Sequence, residues 1–367
     1  MRLFNRLVTV ALALLLSACG GGGGGASTST SPPAVVPVPA LAASDLAVLI
    51  AEGDATSEAI GLAYQRARNI PEANMIRLAV PRGSDSISAS DFATLKAALD
   101  ARLPATVQAT LATWTQPSRV VGSCAMSITS ALAFGYDASY CVGASICLST
   151  RASPYFDSAS SKPWTDLRIR PSMMLGASTL AQAQTLIARG VAADGSWTNG
   201  QGAGTAVLIR TSDGARSTRY ADFQQLAATS YPRLTMRYID NMAGTAVDFV
   251  SGQTAVMFYF TGLVTVPQIN SNTYLPGAIA DHLTSLGGVL PDGGGQMPAT
   301  SWLTAGATAS YGGVEEPCNY TEKFPQASVV VRRYQRGETL IEAYWKSVQW
   351  PGQGLFLGEP LARPWGP

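Results

Sequence analysis

The chain has 367 residues, almost half of them apolar and 13% charged, with a net charge of +1. This balance allows a sizeable core and excludes the clustered Lys and Arg with which a broad nucleic-acid footprint displaces counterions. His282 is the only histidine, so any hydrolysis that borrows an imidazole as general base has a single candidate.

The first stretch, MRLFNRLVTVALALLLSAC, sets Arg2 and Arg6 before an apolar run from Leu7 to Leu16. A basic start, a short greasy middle and small residues before a cut site predict a secretory signal over 1–19, too short to span a bilayer as a mature helix. Its Leu16-Ser17-Ala18-Cys19 ending resembles the lipobox of bacterial lipoproteins, which implies cleavage before Cys19 and lipid on its thiol. Gly20 in the next position, where Asp would be the alternative, resembles outer-membrane sorting, facing either the periplasm or the cell surface. Residues 20–44 are mostly Gly, Ser, Thr, Pro and Ala without a charge. Such a stretch cannot bury enough surface to fold, and as a coil it makes a tether on the order of 25 Å long.

From Asp45 to residue 367 the pattern is that of one α/β domain. DLAVLIAEG is a continuous apolar run ending in glycine, and the stretch from Thr56 has a Thr or Ser start, an early Glu and a Pro stop. NMIRLAVP from Asn74 repeats the strand signal and SASDFATLKAALDARL from Ser88 the helix signal. Buried strand, helix, buried strand, helix predicts a mostly parallel sheet with helices on both faces, a three-layer architecture. Residues 114–170 show no clear period, carry three cysteines and read as an irregular insertion stapled by disulfide. The alternation then resumes with SMMLGA, the helix TLAQAQTLIARG ending at Gly190, GTAVLIRT, RYADFQQLAA, RLTMRYID and TAVMFYFTG. AIADHLTSLGG, from Ala278, is compatible with a strand or a helix. A glycine-bounded small-residue helix in SWLTAGATASYGG, a Glu-Pro turn, a helix starting at Gly337 to Thr339 and a short strand before Gly358 follow. No internal repeat is legible.

With Cys19 assigned to lipid, Cys124, Cys141, Cys147 and Cys318 remain, and in an oxidising compartment they predict two disulfides with three possible connectivities. Cys141 and Cys147 flank a short loop that is easy to close, which would leave Cys124 to meet Cys318. The spacing and the single histidine do not suit zinc, and no other metal or cofactor is expected.

VLIAEGDATSEAIGLAYQRARNIPEANMIRL, PSMMLGASTLAQAQTLIARGVAADG, GAIADHLTSLGG, TAGATASYGGVEEPCNYTEKFP and LGEPLARP together resemble an exported bacterial family without an assigned activity, found in genomes that also carry exosortase, a membrane sorting transpeptidase. More distantly, the order of elements resembles the caspase and gingipain type of peptidase domain. That resemblance implies a histidine just after TAVMFYFTG, where this chain has Gly262-Leu263, and a cysteine closing AIADHLTS, where it has Ser285. Both expected catalytic side chains are replaced.

Sites in open α/β sheets lie beyond the carboxyl ends of strands, which directs attention to Gly262, Ser285 to Gly288, Glu315 and Glu316. If AIADHLTS is a strand, His282 and Ser285 fall on opposite faces; if it is a helix, they share one face but leave little room for substrate. His282 could instead meet Cys318, Ser123 or Ser310, or be held by Asp281 or a backbone carbonyl. Glu315 and Glu316 before Pro317 are a candidate acid/base pair, because adjacent carboxylates raise one another's pKa. These residues lead to the expectation of a lipid-anchored binding or accessory protein of the cell envelope, meeting envelope or exported proteins and linked to exosortase-type protein sorting or exopolysaccharide. The competing expectation is a hydrolase using His282 with Ser285 or Cys318.

Overall fold

The computed structural model describes residues 39–143, 146–198 and 202–366. The signal, Cys19 and all but the end of the tether lie outside the described residues. The folded unit begins earlier than Asp45. Leu41 is buried, and its N–H donates to Glu342 Oε2 at 3.0 Å.

The first third follows the sequence pattern. Strand β1 (Leu46–Ala51) leads to helix α1 (Ala55–Arg68), whose first amides are capped by the Asp54 carboxylate. Then come β2 (Met75–Leu78), β3 (Ser86–Ser88) and α2 (Ala89–Arg102), capped by Ser88. Strand β4 (Ala109–Ala112) is too short and too rich in Ala and Thr to announce itself in sequence. The stretch expected to be irregular holds β5 (Arg119–Val121), β6 (Ala125–Ser127), α3 (Ile128–Phe134) and α4 (Pro163–Leu167). β3, β5 and β6 form a small separate sheet.

Next are β7 (Ser172–Met174) and α5 (Leu180–Ala193). The expected end at Gly190 is not an end. Helix α5 runs on to Ala193, and Gly190 is there because Glu359 packs on it: a Cβ at this position would lie 2.3 Å from Glu359 Oε2. β8 (Gly204–Arg210), α6 (Tyr220–Ala227), β9 (Leu234–Asp240) and β10 (Val256–Gly262) follow. AIADHLTSLGG resolves as the end of strand β11 (Tyr274–Leu283) and the loop after it. SWLTAGATASYGG is only half helix: α7 (Thr300–Ala305) gives way after Gly306 to β12 (Ala309–Gly313). The chain closes with α8 (Ala327–Gln335), α9 (Leu340–Trp345), which carries a capping box between Thr339 and Glu342, and β13 (Gly354–Gly358).

Ten strands make one sheet in the order β2-β1-β4-β7-β13-β12-β11-β10-β8-β9. Every pairing is parallel except β12 with β13. The sheet is therefore two five-stranded parallel halves joined back to back. Each half has the 2-1-3-4-5 order of doubly wound sheets: β1, β2, β4, β7 and β13 in one, β8, β9, β10, β11 and β12 in the other. The halves also share a hydroxyl clasp. Ser57 accepts the Ala51 amide and contacts Thr113 at 2.6 Å; Ser217 accepts the Thr211 amide and contacts Thr211 Oγ1 at 2.7 Å. Both clasps span six residues past the first strand of their half. This repeat lives in topology, which is why no residue-by-residue self-similarity shows it. Helices cover both faces. α1, α5 and α7 lie on one, where α5 packs on α1 and β11 and Trp302 of α7 meets His282. α3, α6, α8 and α9 lie on the other, where Tyr344 of α9 meets Asp281.

The disulfides are Cys124–Cys141 and Cys147–Cys318, which corrects the pairing expected from loop length. Helix α3 turns the chain back so that Tyr136 bonds both the N–H and the carbonyl of Cys124, bringing Cys141 to it. Cys147 is left facing the loop after β12.

Candidate functional site

The rim at the carboxyl ends of β10 and β11 holds Gly262, His282 and Ser285 among the residues singled out in sequence. β10 is apolar and fully buried along its length, as a central strand covered on both faces must be. It ends at Gly262, where a Cβ would lie 1.9 Å from the Arg216 carbonyl oxygen. Backbone occupies the space that a side chain would need, so no histidine could stand there.

On β11 the strict alternation of a strand sends neighbouring side chains to opposite faces. Asp281 points toward α9 and forms a buried ion pair with Arg219 at 2.7 Å, while Tyr344 donates to its other oxygen at 3.0 Å. Burial raises the Asp281 pKa, with Arg219 and Tyr344 pulling it back. Arg219 also donates to the Thr261 and Pro325 carbonyls, which fixes it beneath the rim.

His282 points the other way, into a cluster with Trp302 and Tyr259. The Trp302 indole N–H donates to Nδ1 at 2.9 Å, so Nδ1 is the acceptor and the ring proton of the neutral imidazole sits on Nε2. Nε2 is buried and makes no hydrogen bond, although the nearby Met297 carbonyl opposes part of the burial effect. Burial brings the His282 pKa down to about 3, and Arg219 and Arg216 act in the same direction. The ring is neutral across the physiological range. Asp281 is thus not its partner, because alternation places it on the far face, and the backbone oxygen that acts on the ring is the Met297 carbonyl.

The other sequence candidates fall apart in space. Ser285 lies two residues beyond the last strand residue and is partly exposed, whereas His282 is 1% exposed. Cys318 is consumed in its disulfide and offers no thiol, which removes it as a nucleophile for His282. Ser123 is exposed in the turn between β5 and β6. Ser310 does share the His282 face, because Ile279 pairs with Ala309 and the register carries Ser310 to a diagonal position. Its Oγ has no partner, but it is completely buried. Glu316 accepts the Cys318 amide at 2.9 Å and helps hold up the pKa of Lys323, which burial lowers to about 8. Glu315 and Glu316 are both half-buried, and among the described residues no group of His, Cys, Asp or Glu could hold a metal ion.

Three open recesses lie on the other face of the sheet from Asp281, around α7, and another of about 420 Å³ lies away from them between Phe134, Tyr140, Arg151 and Leu167. Gly176, Ala177, Gln182, Arg189 and Leu303 line one of about 270 Å³. A second of about 160 Å³ continues it past Thr115, which follows β4, and a third of about 350 Å³ borders Thr300 and Met297. Sequence reasoning passed over Arg189. Its signal was a lone basic residue at the end of an otherwise uncharged helix, TLAQAQTLIARG.

No family model matches the chain, and no curated protein matches it. Among solved structures, one described as "Structure of Protease" is similar over 90% of this chain and 79% of its own, with 11% identity and a TM-score of 0.42. That likeness is too loose to carry chemistry from one chain to the other.

Proposed function

We propose that this chain is a binding or accessory protein of the bacterial cell envelope whose sheet rim no longer performs hydrolysis. The observation that carries this reading is the environment of His282. A general base needs an accessible lone pair and a pKa near the working pH, yet Nδ1 is engaged by Trp302 and the pKa lies near 3. The other parts of a caspase-type or gingipain-type site are also filled: Gly262 is backed by backbone and Cys318 is in a disulfide.

The anchoring half of the proposal is that lipid on Cys19 holds the domain at a membrane, the outer one in the orientation suggested by Gly20. What supports a lipid anchor is the Leu16-Ser17-Ala18-Cys19 ending of the apolar run; among the described residues no helix is long and apolar enough to cross a membrane. Its partners would be envelope or exported proteins, in keeping with the resemblance to a family from exosortase-carrying genomes.

The hydrolase alternative would need α7 to lift so that His282 reaches Ser285 or Ser310. The test is to treat the protein with fluorophosphonate and iodoacetamide probes and map adducts by mass spectrometry. We expect no adduct on any Ser or Cys. An adduct on Ser285 or Ser310 that vanishes in His282→Ala would overturn the proposal. Globomycin-sensitive processing and palmitate labelling that disappear in Cys19→Ala are expected of the anchor; unchanged processing in that variant would refute it.

A further inference from the structure

Among the described residues Arg189 has no counter-ion. It sits near the end of α5 and reaches over α7, where Nη2 donates to the Leu303 carbonyl at 2.8 Å. Among the described residues this is its one hydrogen bond: Nε is buried with no partner, and no carboxylate lies close enough to act on it. Several other buried cations are paired, as Arg68 is with Glu359 and Asp194, Arg219 with Asp281, and Arg333 and Lys346 with Glu338; Lys323 and Arg170 have no ion pair but are held by the Gln353 amide oxygen and by the Val107 carbonyl and Trp164 ring. An uncompensated, partly desolvated guanidinium is costly to keep unless something else supplies the charge.

Its surroundings describe that partner. Arg189 lines the recess of about 270 Å³ beside Ala181, Leu186 and Leu303, with Gln182 and Thr185 on the same helix. The adjoining recess of about 160 Å³ opens beyond the carboxyl ends of β4 and β7, where open α/β sheets bind ligands. Among the residues lining these two recesses Arg189 is the one that carries a charge. A single guanidinium balances a monoanion; a dianionic phosphate would need a second cation. The apolar walls suit a hydrocarbon body.

We infer that the recess between α5 and α7 binds a small monocarboxylate with an apolar body, Arg189 pairing with the carboxylate. This deepens the binding reading and rests on it. It also places the ligand on the half of the sheet whose carboxyl ends face away from the His282 rim.

The test is calorimetric titration of the intact protein with hexanoate, with hexanamide as the isosteric neutral probe and with inorganic phosphate. A charge-assisted pair with guanidinium is worth about tenfold or more in affinity. We expect hexanoate to bind at least about tenfold more tightly than hexanamide and more tightly than phosphate. Arg189→Met, which keeps the aliphatic stem, should erase the preference. Should that variant unfold, Ala181→Trp fills the recess from an exposed helix position while keeping Arg189 in the sequence, and should abolish binding of both organic probes. Equal affinity for hexanoate and hexanamide, tighter binding of phosphate, no saturable binding of hexanoate, or a preference that survives Arg189→Met would each overturn the inference. So would unchanged hexanoate binding in Ala181→Trp. Failure here would leave the covalent-probe result on His282 untouched, and an adduct dependent on His282 would not alter hexanoate binding, so the two readings fail separately.

Discussion

The single imidazole makes one linkage experiment unusually clean. His282 has a folded pKa of about 3 against an ordinary value of 6.5. Below pH 6.5 the unfolded chain takes up a proton that the folded chain refuses, so stability present at neutral pH is lost as the pH falls toward 3. The slope reaches about 1.4 kcal/mol per pH unit. Because the unfolded group titrates gradually, the loss between pH 7.5 and pH 5 amounts to about 2 kcal/mol. Carboxylates also titrate toward the lower end of that range, and Asp281 and Glu342, whose pKa values are raised by burial, work in the opposite direction. The histidine contribution is therefore read as a difference. Urea unfolding would be followed at pH 7.5, 6.5 and 5.0 for the parent and for His282→Gln, which keeps an acceptor for Trp302 but does not titrate. We expect the stability gap between the two to shift by about 2 kcal/mol against the parent as the pH falls. The ring proton signals of His282 should stay unshifted in NMR spectra from pH 8 to pH 5. Parallel stability curves, or a ring that titrates near 6.5, would refute the buried neutral imidazole and reopen the general-base reading.

Other outcomes follow from the same geometry. Trp302→Phe leaves Nδ1 of His282 without its donor and should cost about 1–3 kcal/mol for the orphaned acceptor, in addition to the small void, measured by urea unfolding. Glu359, completely buried, accepts from Tyr64 Oη and from Arg68 Nε and Nη2; Glu359→Gln removes the buried carboxylate and leaves Arg68 only the partly exposed Asp194, which should destabilise by about 3–5 kcal/mol, and a loss under 1 kcal/mol would contradict that clamp. Gly262→Ala drives a methyl into the Arg216 carbonyl and should cost about 1–3 kcal/mol, with a neutral outcome showing that the loop before α6 yields freely. Replacing Cys124 and Cys141 by Ser opens a 17-residue loop and should lower stability by about 3 kcal/mol, seen as an earlier urea midpoint that reducing agent no longer moves as far.

Local pattern alone determined the class of this fold. Continuous apolar runs such as LAVLIA and VMFYFTG cannot be satisfied on a half-exposed sheet, and between them lie segments with helical spacing and caps, so a mostly parallel sheet between helix layers follows from periodicity and burial. The even cysteine count likewise determined that two disulfides form. Tertiary structure decided the rest. A strand as short as Ala109–Ala112 has too few residues to show a period. Gly190 reads as a helix stop in sequence, and only the approach of Glu359, 169 positions later, gives it another purpose. Which cysteines meet was settled by α3 folding back, not by loop length. The candidate site shows the division most sharply. Alternation along a strand was enough to part His282 from its sequence neighbours, but the donor that holds it lies 20 residues away on α7, and the cation bound to Asp281 lies before α6. Periodicity acts between residues a few positions apart, whereas desolvation, charge pairing and orphaned hydrogen bonds depend on whatever the fold places within about 3 Å. That Arg189 has no counter-ion among the described residues is visible only in the tertiary structure.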